Sequence, residues 1–123
     1  MTAADGDLLE RAQGIAERAY APYSRYHVGA AVRASDGQVF EGVNVENAAY
    51  PLGICAEKSA LSRAVAEGYG PGELEAIAVT ASPCGGCRQW LVEFQLDRVI
   101  YLAASGDAVT TTPAEFLPDT FEL

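Results

Sequence analysis

Cysteines are the residues of this sequence best suited to chemistry, because two of its three cysteines form a close pair. Two of them, Cys84 and Cys87, lie in the segment SPCGGC at residues 82–87, and the third is Cys55. A pair at this spacing is found in disulfide or redox sites, in structural metal sites and in catalytic metal sites. An odd number of cysteines with one tight pair favours a metal or a catalytic site over a disulfide framework.

Three thiolates form a ligand set that suits zinc. Zinc is usually four-coordinate, so Cys55, Cys84 and Cys87 would leave one position open, as in catalytic rather than structural sites. Glu57 follows Cys55 by two residues and can approach a zinc-bound water as its general base. The alternative for Glu57 is an acidic first-turn residue that compensates a helix dipole.

Two predicted helices bring the cysteines together. Hydrophobic periodicity predicts a helix over residues 56–67, directly after Cys55, and another that begins near Cys84. Their predicted buried residues are Ala60, Leu61, Ala64 and Val65 in the first and Trp90, Leu91 and Phe94 in the second. Helix N-termini present unpaired N–H groups and a positive dipole end, which stabilise thiolates.

The remaining patterns predict a mixed sheet between layers of helices. We expect an amphipathic helix over residues 6–19, a hairpin with a strand from Val28 and a return strand over residues 38–45, and a short helix at Pro113. The segments LEAIAVTA and RVIYLAA are typical of buried strands, and AVTTT of an edge strand. This order predicts an α/β fold, a three-layer αβα sandwich with about five strands, in a single domain over residues 1–123.

Composition and charge limit the possible partners. The 123 residues carry 17 acidic and 8 basic side chains, a formal net charge of −9. A nucleic acid or an anionic membrane would require a basic surface, so a small neutral or cationic ligand is expected instead. No window approaches the roughly 20 apolar residues of a membrane span, and the N-terminus lacks a signal-peptide pattern. We therefore expect a cytoplasmic protein.

Four segments together resemble the small zinc-dependent cytidine deaminases that act on free nucleosides. They are YAPYSRYHVGAAV, GVNVENAAYPLGICAEKSAL, SPCGGCRQWL and FLPDTFEL, and they span nearly the whole chain. The resemblance implies one Zn²⁺ per chain and hydrolytic deamination of cytidine and 2′-deoxycytidine to the uridines and ammonia, in pyrimidine salvage. It also implies a homotetramer with sites at subunit interfaces.

The resemblance assigns roles to individual residues. The three cysteines match the zinc ligands, and Glu57 matches the proton shuttle. Asn44 and Glu46 match residues that hold ribose hydroxyls, and alternation along a strand is an independent reason for them to share a face. The substrate-binding set as a whole is Tyr26, Asn44, Glu46, Tyr50, Ala56 and Phe121.

Some of these roles have simpler alternatives. Asn44 and Glu46 can be ordinary polar residues at a strand end. Tyr26, which matches an aromatic that packs against the pyrimidine, can instead be a core residue. Tyr50 and Phe121 match residues that reach a neighbouring subunit's site, and their alternative is packing within the chain.

The sequence departs from the family pattern in two places. Relatives often have arginine directly after the catalytic glutamate, whereas this chain has Lys58, its only lysine. A lysine ammonium is a point charge, whereas the arginine guanidinium is a planar group that can donate to two ligands at once. We expect Lys58, with a contribution from Arg88, to offset the negative charge of the thiolates. The alternative is that Lys58 is only a solvated residue. In addition, the link between IAVTA and SPC is shorter than expected, which changes the rim of the site.

Two rival functions remain at this stage. The same zinc chemistry would deaminate another aminopyrimidine nucleoside, such as a blasticidin S-like compound. A structural zinc-binding interaction module would need a fourth protein ligand, yet no fourth cysteine exists and the only histidine, His27, is distant along the chain.

Overall fold

A five-stranded mixed sheet forms the centre of the molecule. The computed structural model describes residues 1–123. The strands are β1 (Gly29–Ala34), β2 (Val39–Val43), β3 (Leu74–Val79), β4 (Arg98–Leu102) and β5 (Ala108–Thr111). They follow the order β2-β1-β3-β4-β5 in the sheet, with β3 and β4 parallel and the other neighbouring pairs antiparallel.

Helices cover both faces of this sheet. They are α1 (Ala3–Ile15), α2 (Ala56–Ala66), α3 (Gly85–Glu93) and α4 (Pro113–Phe116). None of them has the length and apolar character that a membrane crossing requires. Side chains of α1 pack on one face of the sheet and those of α2 and α3 on the other, because successive strand residues point to opposite faces. The predicted three-layer α/β fold is confirmed.

Several predicted boundaries differ from the observed ones. The first helix begins at Ala3, because the Thr2 hydroxyl accepts a hydrogen bond from the Asp5 N–H at 3.1 Å and caps it. It ends at Ile15 and continues as a 3₁₀ turn over Ala16–Arg18. The return strand of the hairpin ends at Val43, two residues earlier than predicted.

The predicted buried faces of two helices also need correction. Val65 is 50% exposed, although burial was predicted. It lies about 100° around α2 from the buried Ala64, beyond the arc that faces the sheet. In the next helix Leu91 is fully buried, whereas Trp90 and Phe94 are only partly buried and stack on each other with ring centroids 6.0 Å apart.

Gly42 determines how closely α2 approaches the sheet. A Cβ atom added to Gly42 in β2 would lie 2.3 Å from the backbone nitrogen of Ala60 in α2. Real Cβ atoms do not make such contacts, so any side chain at this position would push helix and sheet apart. The short distance holds the N-terminal turn of α2, with Cys55 and Glu57, against the end of β2.

A buried carboxylate fastens the start of α1 to the sheet. Asp5 is 1% exposed and accepts hydrogen bonds from the guanidinium groups of Arg98 at 2.9 Å and Arg33 at 2.8 Å. Glu75 accepts from both arginines at 3.0–3.2 Å. The hydrogen bond from Arg98, supported by that from Arg33, lowers the pKa of Asp5 from 3.8 to about 2.

Replacing Asp5 with asparagine is expected to lower the free energy of unfolding by about 3 kcal/mol at pH 7, because Arg33 and Arg98 lose the more deeply buried of their two anionic partners. The depressed pKa of Asp5 contributes stability that is complete above pH 3.8 and is lost as the pH falls through about 2. That contribution amounts to about 2 kcal/mol. Urea denaturation at pH 7, 4 and 2 measures both effects.

The control is Asp7→Asn, which changes an exposed carboxylate of the same helix. We expect this control to have the stability of the parent at each pH. The Asp5 variant should lose less stability than the parent between pH 4 and pH 2. An equal loss in both would contradict the assigned pKa.

Candidate metal centre and adjoining pocket

The three cysteine sulfurs lie together at the starts of two helices. All three Sγ atoms are within 4.8 Å of one another, and those of Cys55 and Cys84 are 3.8 Å apart. Tetrahedral zinc with Zn–S bonds of about 2.3 Å separates its sulfur ligands by about 3.8 Å. An S–S bond measures only about 2.05 Å, and all three cysteines are free. The donor set therefore fits one zinc ion.

Local backbone structure explains why the sulfurs converge. Cys55 is the N-cap residue of α2 and Cys84 that of α3, each with extended backbone, and Cys87 follows in the first turn of α3. No side chain caps either helix. The free N–H groups and the positive dipole ends of both helices therefore lie beside the thiolates.

Electrostatic coupling within the cluster favours a bound cation. A hydrogen bond with Cys87, followed by one with Cys84 and the charge of Lys58, lowers the pKa of Cys55 to about 6. The contact with Cys55, together with burial, raises the pKa of Cys87, because a second negative charge beside the first is unfavourable. A divalent metal would stabilise all three thiolates at once.

Glu57 is a buried carboxyl group beside this cluster. It lies in the first turn of α2 and is 3% exposed. Burial raises its pKa, and the negative charge of Cys55 raises it further. A carboxylate held in this way binds a proton more readily than one in water, which suits a group that takes up and returns protons.

A pocket of about 390 Å³ adjoins the cluster. The volume lies within the range of about 300–1,000 Å³ that is usual for small-molecule sites. Of the predicted site residues, those that line it are Tyr26, Asn44, Glu46, Tyr50, Cys55, Ala56, Glu57 and Cys84. The rim includes Ala81 and Ser82, which lie in the short link between β3 and α3.

Asn44 and Glu46 lie beyond the end of β2 rather than within it. Bridges from Val45 to Tyr20 and Ile54 keep this segment extended, so the two side chains still lie on one side. The amide of Asn44 accepts from the Val28 N–H at 2.8 Å and donates to a backbone carbonyl, that of Tyr26, at 2.9 Å. Both residues therefore hold the loop that forms one wall of the pocket.

The predicted aromatic residues have different positions. Tyr26 is 62% exposed on the pocket wall and is not a core residue. Tyr50 lies at the rim with 86% exposure, so it does not pack within the chain. Phe121 is 71% exposed and is not part of this pocket, although its backbone carbonyl accepts a 3.4 Å hydrogen bond from Gln89.

Lys58 and Arg88 have separate surroundings. The Lys58 ammonium lies 5.9 Å from the centroid of the Trp90 ring, and its charge lowers the pKa of Cys55. Arg88 donates from Nε to the Pro83 carbonyl at 2.9 Å and from Nη2 to the Ser82 hydroxyl at 3.4 Å. Its guanidinium also lies 4.3 Å from the centroid of the Phe116 ring. Arg88 thus braces the loop that carries Cys84.

Sequence reasoning missed Ser24, which also lines the pocket. Ser24 donates a hydrogen bond from its hydroxyl to Glu46, which is 22 residues later. A serine in a Pro-Tyr-Ser turn has no distinguishing local pattern. Only the hydrogen bonds between loop 20–28 and the segment after β2 reveal its position.

Fold and site together define an α/β protein with a three-cysteine cluster that fits zinc and a buried carboxyl group beside it. Residues 2–103 match the family described as the cytidine and deoxycytidylate deaminase zinc-binding region. A cytidine deaminase of Sporosarcina psychrophila is 41% identical over 93% of this chain and 88% of its own. A second cytidine deaminase, from Halalkalibacterium halodurans, is 43% identical over 93% of this chain and 91% of its own.

A solved structure agrees with these relatives. The crystal structure of cytidine deaminase from Burkholderia pseudomallei superposes with a TM-score of 0.89 at 45% identity, covering 98% of this chain and all of that one. The chain therefore belongs to the family of zinc-dependent cytidine and deoxycytidylate deaminases. Membership confirms the predicted resemblance, the enzymatic class and the zinc cofactor.

Proposed function

We propose that this enzyme hydrolyses cytidine and 2′-deoxycytidine to uridine and 2′-deoxyuridine with release of ammonia. The observation that carries the proposal is one pocket with two kinds of wall. One wall holds Glu57 and the cysteine cluster, and another holds Asn44 and Glu46. The family's relatives named as cytidine deaminases support the same reaction.

In this proposal Cys55, Cys84 and Cys87 hold one Zn²⁺. When bound, zinc supplies hydroxide at neutral pH, because it lowers the pKa of coordinated water from about 15.7 to about 7. Lys58 offsets part of the negative charge of the three thiolates. Arg88 keeps the Ser82–Cys84 loop in place through its hydrogen bonds to that loop.

Glu57 moves the protons of the reaction. Its carboxylate takes a proton from the attacking water and gives one to the ring nitrogen beside C4, so that C4 accepts the new C–O bond. It then takes the remaining proton from the new C4 hydroxyl and gives it to the amino group, so that C4 becomes a carbonyl as the C4–N bond breaks and ammonia leaves. Burial of Glu57 excludes bulk water that would compete for these protons.

The other pocket residues orient the nucleoside. Asn44 and Glu46 hydrogen-bond the sugar hydroxyls, and the exposed Tyr26 ring packs against the pyrimidine. Ala56, buried at the start of α2, forms part of the same wall. A sugar-binding wall favours a nucleoside over a free base. It also favours cytidine over a blasticidin S-like compound, the second candidate substrate.

Ammonia release from cytidine, deoxycytidine, cytosine, CMP and blasticidin S tests the proposal, with the zinc content measured in parallel. We expect about one zinc per chain and rapid turnover of the two nucleosides. Turnover of blasticidin S alone would transfer the same chemistry to the second substrate. A zinc-loaded enzyme that released no ammonia from any of the five would refute the proposed function.

A structural zinc module does not fit the site. Such a module needs a fourth protein ligand, whereas the group of metal-ligating side chains contains the three cysteines alone. His27 lies outside this group. The open fourth position instead supports a catalytic centre.

We also propose a homotetramer in which Tyr50 and Phe121 reach a neighbouring subunit's site. Several large apolar side chains are mostly exposed, among them those of Tyr50, Leu52 and Phe121. Tyr50 and Leu52 belong to one 3₁₀ turn, and an exposed apolar patch of this kind supports a contact with a partner. Light scattering is expected to give a mass of about four chains, and a fully active monomer at assay concentration would contradict the shared site.

The proposed cellular setting is the cytoplasm, where thiols remain reduced and can bind zinc. There the enzyme would act in pyrimidine salvage on free nucleosides. The net charge of −9 supports small-molecule substrates rather than nucleic acids or membranes.

A further inference from the structure

Three hydrogen bonds fix the carboxylate of Glu46. Its Oε1 accepts from the backbone N–H groups of Tyr23 at 3.0 Å and Ser24 at 3.1 Å. Its Oε2 accepts from the Ser24 hydroxyl. All three donors belong to a turn that lies more than 20 residues earlier in the chain, so this turn sets the orientation of the side chain.

The Ser24 hydroxyl connects Glu46 to the aromatic wall. While it donates to Glu46, the same oxygen accepts from the Tyr26 backbone N–H at 3.0 Å. Arg25, which lies between Ser24 and Tyr26 in the chain, adopts the left-handed conformation with φ of 59°, which few non-glycine residues adopt. One side-chain oxygen thereby fixes the relative positions of the proposed sugar ligand and the proposed base-stacking ring.

Counting acceptor positions shows what remains for a ligand. An ionised carboxylate offers about four lone-pair positions, and the three donors occupy three of them. The remaining position is on Oε2, the oxygen that Ser24 holds. Asn44 likewise retains one N–H after its bonds to the loop. A single hydroxyl, which both donates and accepts, matches this pair.

We propose that Ser24 is a positioning residue for substrate binding, which orients the Glu46 carboxylate so that its one free acceptor position receives a sugar hydroxyl. This inference rests on the proposed function, because it assigns Glu46 to the sugar. The hydrogen bond from Ser24 also lowers the pKa of Glu46, so the carboxylate stays ionised and serves only as an acceptor.

Ser24→Ala tests the inference in two ways. KM for cytidine is expected to rise about 10-fold while kcat changes less than about twofold, because the hydroxyl contact is made equally before and in the transition state. Calorimetry on the zinc-loaded protein should show uridine binding weakened by the same factor. Binding of uracil, which has no sugar, should be weakened less, because only the contact of Ser24 with the Tyr26 N–H bears on the base.

Two further variants provide the controls. Ser24→Thr keeps the hydroxyl at an exposed position and should restore parental binding. Ser35→Ala removes an exposed serine from the turn between β1 and β2 and should match the parent in binding and melting temperature. In a Glu46→Ala background, Ser24→Ala should have a smaller effect than in the parent, since residues that act as one unit are not additive.

Specific outcomes would overturn the role of Ser24. They are an unchanged Kd for uridine, an equal weakening of uridine and uracil, or additive effects in the double variant. The calorimetric comparison decides this independently of turnover. An inactive parent enzyme that still binds uridine would refute the deaminase function without deciding the role of Ser24, which the Kd values of the variants would then settle.

Discussion

Glu57→Gln is expected to lower kcat/KM for cytidine by about a thousandfold, in the middle of the range attributed to general acid-base groups. The amide cannot take the proton of the attacking water or return it to the leaving group. Zinc content is expected to stay at about one per chain, because Glu57 is outside the sulfur ligand set. Parallel measurements of ammonia release and bound zinc test both statements.

Stability distinguishes a chemical role of Glu57 from a structural one. Burial raises the pKa of Glu57, so its ionised form is disfavoured in the folded protein, and a neutral amide of similar shape should not lower the melting temperature. Glu10→Gln, an exposed change in α1, is the matched control and should retain full activity. Retained activity in Glu57→Gln, or loss of its zinc, would remove the assigned role.

Lys58→Ala is expected to lower kcat/KM for cytidine by about 10–100-fold, which is the usual effect of replacing a residue that interacts with metal ligands. The lysine ammonium favours the thiolate form of Cys55, and without it the negative cluster is less well compensated. Lys58→Arg keeps the charge and should retain most of the activity, since a guanidinium can also donate to more than one sulfur.

Arg63→Ala is the control for the loss of one positive charge from α2. Arg63 pairs only with Glu67 on the exposed side of the helix, and such pairs contribute little. This variant should therefore keep the activity and zinc content of the parent. If Lys58→Ala matched Arg63→Ala in kcat/KM, Lys58 would be a solvated residue and the two helix N-termini would have to stabilise the thiolates.

Local signals were sufficient to predict the metal centre. Cys55 and Cys84 each precede a helix whose start is visible in the hydrophobic pattern, so the sequence alone placed both at helix caps. The arrangement of the sheet between two layers of helices likewise followed from the order of strands and helices along the chain. Both predictions depend on residues that are close in the chain, where periodicity is informative.

Long-range contacts explain what the sequence could not predict. The burial of Val65 depends on the angle at which α2 meets the sheet, which the pattern of α2 does not contain. The hold of Ser24 on Glu46 depends on bridges between the segment after β2 and Tyr20. Asp5 lies before the helix predicted over residues 6–19, and no local pattern indicates the two arginines that the strands bring to it.

The close approach of α2 to Gly42 shows that a residue can matter for the active site without lying near the substrate pocket. Gly42 has no side chain and does not line the pocket, yet the position of Glu57 depends on the space that Gly42 leaves for the backbone of α2. Even a methyl group there would displace the helix that carries Glu57. The tolerance of this enzyme to mutation is therefore set partly by residues that contribute no functional group, and a survey limited to pocket walls would overlook them.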